Sequence, residues 1–311
     1  MKKTLTALAT ITLLLAPGAL AEGKTFEAGA FSNVKVTGVM DVVYTPAPQV
    51  KVTVETPGGD FSDALIETDG DTLVVTRNSL KKKNKFFSWG GTVNVSKDNE
   101  TVKVNGKRVP RYTVFVSGPD LEGVQVSQSS SFKSAKIDSP DLSVSASSSG
   151  EVEIAGVSGE TRLSASSSGE INAKGLEAKI LRVSVSSSGE ASGTVTGTGE
   201  TVVEASSSGE AIVYSKAAAT FTVDASSGGS AELSGACKSI EISASSGASV
   251  EADALRCDAA EVGVSSGADV DAYSTGLADG RASSGGSVKF SGKPSAQNSK
   301  ESSGGSVRFA N

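Results

Sequence analysis

The hexapeptide Ala146-Ser147-Ser148-Ser149-Gly150-Glu151 decides the fold, because close copies of it recur along the chain. Further copies begin at Ala165, Val185, Ala205, Ala225, Ala244, Val264, Ala282 and Glu301. Successive copies start 18 to 20 residues apart. Self-similarity at a period near 20 residues is typical of stacked architectures, in which each repeat packs only against its neighbours. The sequence therefore predicts a repeat protein.

The apolar residues within each repeat follow a period of two. We count the first residue of each copy as offset 0; even offsets are then mostly apolar or small, and odd offsets are mostly Ser, Glu, Asp, Lys or Thr. Offset 6, for example, is Val152, Ile171, Ala191, Ala211, Ala231, Val250, Val270, Val288 and Val307. Alternation of this kind indicates strands with one buried face.

A coil of this length cannot bury its own apolar face, so the coils must stack, each strand on its equivalent. We predict an all-β fold: a parallel β-helix, or solenoid, of about ten coils of 19–20 residues, preceded by an irregular N-terminal β region. Right-handedness is predicted by analogy with other parallel crossovers.

The chain begins with the pattern of a secretory signal, predicted over residues 1–21. Lys2 and Lys3 precede an apolar run, and Ala19-Leu20-Ala21 has the form of a cleavage site. The run is too short for a membrane span, and no later segment could cross a bilayer. We expect an exported chain with one domain over 22–311, made of a non-repeat β region at 22–125 and Ser/Gly-rich coils at 126–311.

Composition excludes several classes of function. The 311 residues carry a net charge of −6, which argues against nucleic acid as a partner. The chain contains no histidine, so Ser-His-Asp and Cys-His nucleophilic sites and His-containing zinc motifs are absent. No Gly-rich phosphate loop with a lysine and no calcium-binding nonapeptide is present. We predict no catalytic residue and no cofactor.

Serine occupies offsets 1 and 2 in all nine copies, and offset 4 is always Gly or Ala. Stacking explains both, because a tight corner needs a residue without bulk, and a hydroxyl can bond to the same hydroxyl one coil away. The alternative is a serine array that binds a ligand such as ice or sugar.

Four successive copies carry glutamate at offset 5: Glu151, Glu170, Glu190 and Glu210. Stacked coils place these carboxylates in a column of like charges. One interpretation is a weak ladder for divalent cations, because carboxylate oxygens suit calcium. The other, which we favour, is a set of solvated side chains paired with lysines such as Lys174 and Lys179.

Cys237 and Cys257 lie one repeat apart, at offsets 12 and 13. They can therefore occupy the same corner of adjacent coils, at a spacing that a disulfide accepts. Export places the chain in an oxidising compartment. We predict a Cys237–Cys257 disulfide.

One segment of the non-repeat region combines cations with aromatic rings. Its residues are Lys81, Lys82, Lys83, Lys85, Phe86, Phe87 and Trp89. It could be a contact loop for an anionic surface or polymer, because cations attract and rings supply apolar area. The favoured interpretation is a solvated hairpin tip.

Three stretches resemble the head GIN domain family of auto-transporter adhesin-like bacterial proteins. They are Phe31-Ser-Asn-Val-Lys-Val-Thr-Gly-Val-Met-Asp-Val-Val-Tyr44, Val52-Thr-Val-Glu55 and Leu121-Glu-Gly-Val124, followed by Ser/Gly-rich coils. The resemblance covers nearly all of 22–311. It implies an exported β-helical protein without an established enzymatic activity, and it supplies no catalytic positions.

The leading hypothesis is a non-enzymatic cell-envelope protein, an adhesin-like or structural rod whose partner is an envelope polysaccharide or another cell-surface component. The alternative is a polysaccharide-processing β-helix enzyme, a lyase or hydrolase, which needs carboxylates and basic groups that converge in a groove. Its candidates are Asp41, Glu55, Arg108, Arg111, Arg162 and Arg182. A third hypothesis is a structural protein that binds nothing.

Overall fold

The computed structural model of the chain describes residues 22–80, 93–94, 101–104 and 106–310. The predicted signal and the Lys81–Trp89 loop lie outside the described residues. The described part consists of strands, their connections and one short 3-10 turn at Asn78–Leu80. It contains no helix that is long and apolar enough to cross a membrane.

The N-terminal region comprises eleven short strands. They are β1 Glu22–Phe26, β2 Asn33–Val36, β3 Met40–Pro46, β4 Lys51–Thr56, β5 Ala64–Asp69, β6 Thr72–Arg77, β7 Val93–Asn94, β8 Thr101–Val104, β9 Lys107–Pro110, β10 Tyr112–Gly118 and β11 Gly123–Ser127.

The repeats form the remaining strands, most of them long. They are β12 Ser131–Ser147, β13 Glu151–Ser166, β14 Glu170–Val185, β15 Glu190–Val195, β16 Glu200–Ser206, β17 Glu210–Ser226, β18 Ser230–Ala244, β19 Ser249–Val264, β20 Asp269–Ala282, β21 Ser287–Ser291, β22 Ala296–Glu301 and β23 Ser306–Phe309.

Neighbouring coils pair in parallel with equivalent residues side by side, as predicted. Val152 of β13 pairs with Phe132 of β12 and with Ile171 of β14. The register shifts in the middle of each long strand, so that its two halves join different stacks. We call the stack of N-terminal halves the first side and the stack of C-terminal halves the second side. The structure is therefore a parallel β-solenoid of about nine turns.

The N-terminal strands extend both sides of the solenoid. On the first side, β3 pairs in parallel with β12 and with β10. Beyond β10, β4 pairs antiparallel with β10, and β1 pairs antiparallel with β4. On the second side, β11, β2 and β6 continue the parallel stack, and β5 closes it as an antiparallel hairpin partner of β6. The irregular β region is thus part of the same 20-stranded sheet, whereas β7, β8 and β9 form a small antiparallel sheet.

The core is a thin apolar lumen that runs along the axis. At both ends of β13 and β14 the residues at offsets 6 and 8 and at offsets −2 and 0 are buried and the residues between them exposed, which confirms the predicted alternation there. In the middle of β14 the pattern shifts by one residue, so that Leu176 and Ala178, at odd offsets, are buried. Val, Ile, Leu and Ala fill most of the lumen. Stacked aromatic pairs lie toward the ends, where Tyr44 stacks on Phe132 and Phe290 stacks on Phe309, and Phe221 of β17 is buried among the middle coils.

The corner after the second side bends at two serines. Ser148 and Ser149, at offsets 2 and 3, both have positive φ, and the N–H of Gly150 donates to the carbonyl oxygen of Ser147. These features are those of a type I′ turn, which normally favours Asn or Gly. The structure confirms that offset 4 needs a residue without bulk, and close approach is the reason. A Cβ on Gly169, at that offset, would lie 2.3 Å from the carbonyl oxygen of Ala146.

The predicted ladder of hydroxyl–hydroxyl bonds at these corners is absent within residues 126–310. The corners are joined through the backbone instead: the N–H of Ser149 donates to the carbonyl oxygen of Ser167, and Ser168 donates to Ser187 in the same way. The side chains at offsets 2 and 3 are exposed. Stacking therefore orders the corner backbone and leaves its hydroxyls facing solvent.

A buried arginine connects the N-terminal strands. The guanidinium of Arg77 donates to the carbonyl oxygens of Val39 and Pro110, at 3.2 and 2.8 Å, and pairs with Asp63 at 3.2 Å. It also lies over the ring of Tyr112, 4.8 Å from its centroid. Burial lowers the pKa of Arg77, and Asp63 opposes that shift. Because a buried charge must be paired, this cluster fixes the hairpin of β5 and β6 against β10.

Candidate functional site

The four glutamates at offset 5 form a column on the first side. Glu151 pairs in register with Glu170, Glu170 with Glu190, and Glu190 with Glu210. All four side chains are exposed. Strand pairing therefore holds like charges about 5 Å apart, as the repeat pattern predicted.

The electrostatics of the column are those of crowded carboxylates. Burial raises the pKa of Glu190, Glu170 and Glu210 raise it further, and Lys174 opposes them. Glu151 has Lys133 at 3.8 Å, but among the described ion pairs none involves the other three glutamates, so the expected pairing with Lys174 or Lys179 is not formed. Within the described residues no group of three or more acidic or sulfur side chains is arranged to hold a metal ion.

The predicted disulfide is present in the structure. The Sγ atoms of Cys237 and Cys257 are bonded, and the two Cα atoms lie 4.4 Å apart in neighbouring coils. Both residues are buried. The bond closes a loop of one repeat and makes no contribution to a surface site.

The candidates for polysaccharide-processing chemistry lie on different sides of the solenoid. Arg111 pairs with Asp41 at 2.8 Å on the first side. Arg162 and Arg182 pair in register on the second side and share Glu160. Among these candidates the described contacts join Asp41 to Arg111, and strand pairing places Arg162 beside Arg182.

Asp41 and Arg111 belong to a polar cavity that sequence reasoning missed. It has a volume of about 470 Å³ and lies on the first side, where β3 is flanked by β10 and by the first long strand, β12. Its lining includes Asp41, Val43, Arg111, Ser131, Lys133 and Glu151. We call it the junction pocket. Only the pairing of β3 with both β10 and β12 brings these residues together, and no repeat in the sequence signals that pairing.

Hydrogen bonds organise the junction pocket around Asp41. Arg111 Nε donates to Asp41 Oδ2 at 2.8 Å, and Ser131 Oγ donates to Asp41 Oδ1 at 2.7 Å. Lys133 Nζ donates to Glu153 at 2.7 Å, which raises the pKa of Lys133, and lies 3.8 Å from Glu151. The site therefore offers fixed donors and acceptors side by side.

An exposed apolar pair adjoins the junction pocket. Val43 and Phe115 are register partners on β3 and β10, and 37% and 41% of their surfaces are exposed. The next strand places Lys133 beside Val43.

A larger cavity, of about 610 Å³, lies on the second side near the C-terminal end. It runs across five coils at offsets −1 to 1, and Ser, Ala and Gly form most of its lining. Its Arg281 pairs with Glu261 at 2.8 Å and with Asp279 at 3.3 Å. No aromatic side chain lines it.

Comparison with models of known protein families shows which family the chain belongs to. The family model described as "Putative auto-transporter adhesin, head GIN domain" matches residues 30–223 and 195–294. The chain belongs to the head GIN domain family. The two matches together span β2 to β11 and most of the coils of this head GIN domain chain, which confirms the resemblance seen in the sequence.

Solved structures similar to this head GIN domain chain include a "putative adhesin" from Bacteroides fragilis, with 12% identity and a TM-score of 0.35. A "putative adhesin" from Parabacteroides merdae has 12% identity and a TM-score of 0.45, and a "putative lipid binding protein" from Parabacteroides distasonis has 13% and 0.43. Each alignment covers 94% of this chain and 98% or 99% of the other. Curated proteins gave no match.

Proposed function

We propose that this head GIN domain chain is an exported, non-enzymatic cell-envelope protein that binds a surface polymer through the outward faces of its solenoid. The membership of an adhesin-like family supports binding, and the predicted signal at residues 1–21 supports export to the periplasm, the outer surface or the medium. The partner that fits is an envelope polysaccharide or another cell-surface component.

The observation that carries the proposal is the register of the outward side chains. The hydroxyls at offsets 2 and 3 and the carboxylates at offset 5 recur in successive coils, and these side chains are exposed. None of them fills the core. A repeating array of donors and acceptors matches a polymer, whose own groups also repeat, better than it matches a single small molecule.

Turnover of the polymer is not part of the proposal. Asp41 and Arg111 are engaged with each other, and Arg162 and Arg182 are engaged with Glu160. A glycoside hydrolase needs two carboxyl groups that flank one bond, and a lyase needs a base at the sugar ring. The arrangement of these four residues favours neither.

The test is a binding and turnover experiment with residues 22–311. The chain is applied to an array of bacterial envelope polysaccharides, and every polymer that binds is then incubated with it and analysed for chain length and unsaturated ends. The proposal expects saturable binding with unchanged chain length. Shortened chains or unsaturated sugars would establish the enzyme alternative, and no binding to envelope polymers or to intact cells would refute an adhesin-like role.

The same array tests the loop Lys81–Trp89 as a surface contact. A variant in which Lys81, Lys82, Lys83 and Lys85 are replaced by Ser removes its positive charge. If the loop contacts an anionic polymer, this variant binds it more weakly than the parent chain. The difference in affinity should grow as the salt concentration falls, because the lysines attract the polymer more strongly when there is less screening.

A further inference from the structure

The junction pocket has the features of a small-ligand site. Its volume of about 470 Å³ lies within the range of known small-molecule sites. Side chains from two strands and from the residue just before a third converge on it: Asp41 from β3, Ser131 and Lys133 from β12, and Arg111 immediately before β10. Because these strands pair in one sheet, their side chains are held at fixed relative positions.

The charges of the pocket favour an uncharged ligand. Asp41 and Glu151 balance Arg111 and Lys133, and each cation already lies near a carboxylate. An ionic ligand would have to compete with these pairs. A hydroxyl group need not, because a carboxylate can accept about four hydrogen bonds and a guanidinium carries five donors. Asp41 accepts two bonds here, from Arg111 and Ser131, and Arg111 donates one to Asp41.

Val43 and Phe115 supply an apolar contact surface beside these hydrogen-bonding groups. Val43 lines the pocket, and Phe115 is its register partner on the side away from Lys133. Alternate residues of a strand share a face, so Phe115, Thr113 and Arg111 lie along one outward row. An exposed ring next to hydrogen-bonding groups suits a molecule with one apolar face and a polar edge.

We propose that the junction pocket binds a neutral, polyhydroxylated sugar unit of a glycan chain. The apolar face of the sugar ring packs on Phe115 and Val43, and its hydroxyls bond to Asp41 and Arg111. This inference rests on the proposed binding function and adds the ligand class and the place. The larger cavity on the second side offers hydroxyls and small side chains without a ring against which a sugar can pack.

Titration calorimetry on the chain 22–311 tests the proposal. The probes are maltohexaose, cellohexaose and mannohexaose, which are neutral, and hexagalacturonate, which is anionic. We expect saturable binding of at least one neutral hexasaccharide and weaker binding of hexagalacturonate. Phe115→Ala should weaken the neutral interaction about tenfold, the loss expected when a well-packed aromatic contact is removed.

Matched controls come from the same chain. Tyr214 is an aromatic residue with 48% exposure on β17, and Arg281 is an exposed, ion-paired arginine on the second side. Tyr214→Ala and Arg281→Gln should leave the affinity unchanged, whereas Arg111→Gln and Asp41→Asn should lower it. Melting curves confirm that every variant folds, and the isosteric Asp41→Asn tests the site without removing a side chain.

Three results would overturn the proposal. Equal losses in Phe115→Ala and Tyr214→Ala would place binding elsewhere on the rod, and tighter binding of hexagalacturonate would refute a neutral ligand. Absence of binding by all three neutral probes would refute the glycan class. None of these outcomes decides whether the rod adheres to an envelope polymer or to intact cells, which the array experiment measures separately.

Discussion

Cys237 and Cys257 stand one repeat apart in the sequence and are joined by a disulfide between neighbouring coils of the solenoid, with their Cα atoms 4.4 Å apart. The bond links two residues that only stacking brings together. It therefore offers a chemical readout of the register of the coils.

Removal of this bond should lower the stability of the coils around it. A disulfide that closes a loop of this size contributes about 2–4 kcal/mol, largely by restricting the unfolded chain. We expect Cys237→Ser/Cys257→Ser to unfold at a lower denaturant concentration than the parent chain. Dithiothreitol should destabilise the parent and leave the double variant unchanged. Two free thiols in the native, unreduced protein would contradict the assignment.

Glu190 should destabilise the solenoid at neutral pH. Its pKa in the folded state is raised, by burial first and by Glu170 and Glu210 next, so its protonated form is favoured by folding. Such a group supports the fold below the pKa of the unfolded state, and that support is lost as the pH rises through the folded pKa. Glu190→Gln should therefore melt at a slightly higher temperature than the parent at pH 7, and the difference should vanish near pH 3.

A matched substitution tests whether the stabilisation is specific to Glu190 or follows from the removal of any surface carboxylate. Glu177 pairs with Lys216, so Glu177→Gln should leave the melting temperature unchanged or lower it. Calcium at millimolar concentration should not shift the melting temperature of the parent. A clear rise with calcium that is lost in Glu190→Gln would instead support the cation ladder.

Gly169 should not tolerate a methyl group while the corner keeps its present backbone. The Cβ of Gly169→Ala would lie 2.3 Å from the carbonyl oxygen of Ala146, so the backbone must shift, at a cost of about 1–3 kcal/mol. Coils that carry Ala248 or Ala268 at this offset have Gly247 or Gly267 immediately before it. The double variant Ser168→Gly/Gly169→Ala should therefore recover much of the loss in thermal unfolding, whereas equal losses in both variants would refute this account of the corner.

Replacement of Thr161 by valine should stabilise the folded protein. Its hydroxyl is buried in the lumen and has no hydrogen-bond partner among the described residues. Because an unpaired buried hydroxyl costs about 1–3 kcal/mol and valine has the same shape, Thr161→Val should raise the denaturation midpoint. Thr56→Val is the control, because Thr56 Oγ1 donates to the carbonyl oxygen of Arg111 at 2.8 Å, and its loss should lower the midpoint. Equal destabilisation by both would contradict the prediction.

The repeat made most of the fold predictable. Val152, Ile171 and their equivalents recur at one offset, so the sequence gives both the buried face and the pairing partner of each residue. The glutamate column and the disulfide follow from the same repeat spacing, because each requires only that equivalent residues of neighbouring coils lie side by side.

The corner and the junction pocket could not be derived in this way. A run of three serines gives no sign that Ser148 and Ser149 adopt positive φ, because glycine is the residue expected there. Asp41 and Arg111 lie 70 residues apart in a region without a repeat. Their contact depends on the pairing of β3 with β10, although β4 to β9 lie between these two strands in the sequence. Local patterns do not specify such long-range pairings.

Radical footprinting of Phe115 and Tyr214 tests the central functional claim most directly. Both are exposed aromatic residues of one chain, so their rates of oxidation by hydroxyl radicals can be compared in one sample. With a saturating neutral hexasaccharide bound, oxidation of Phe115 should fall severalfold while that of Tyr214 stays constant. Unchanged oxidation of Phe115, or protection of Tyr214 in its place, would contradict a glycan site at the junction pocket.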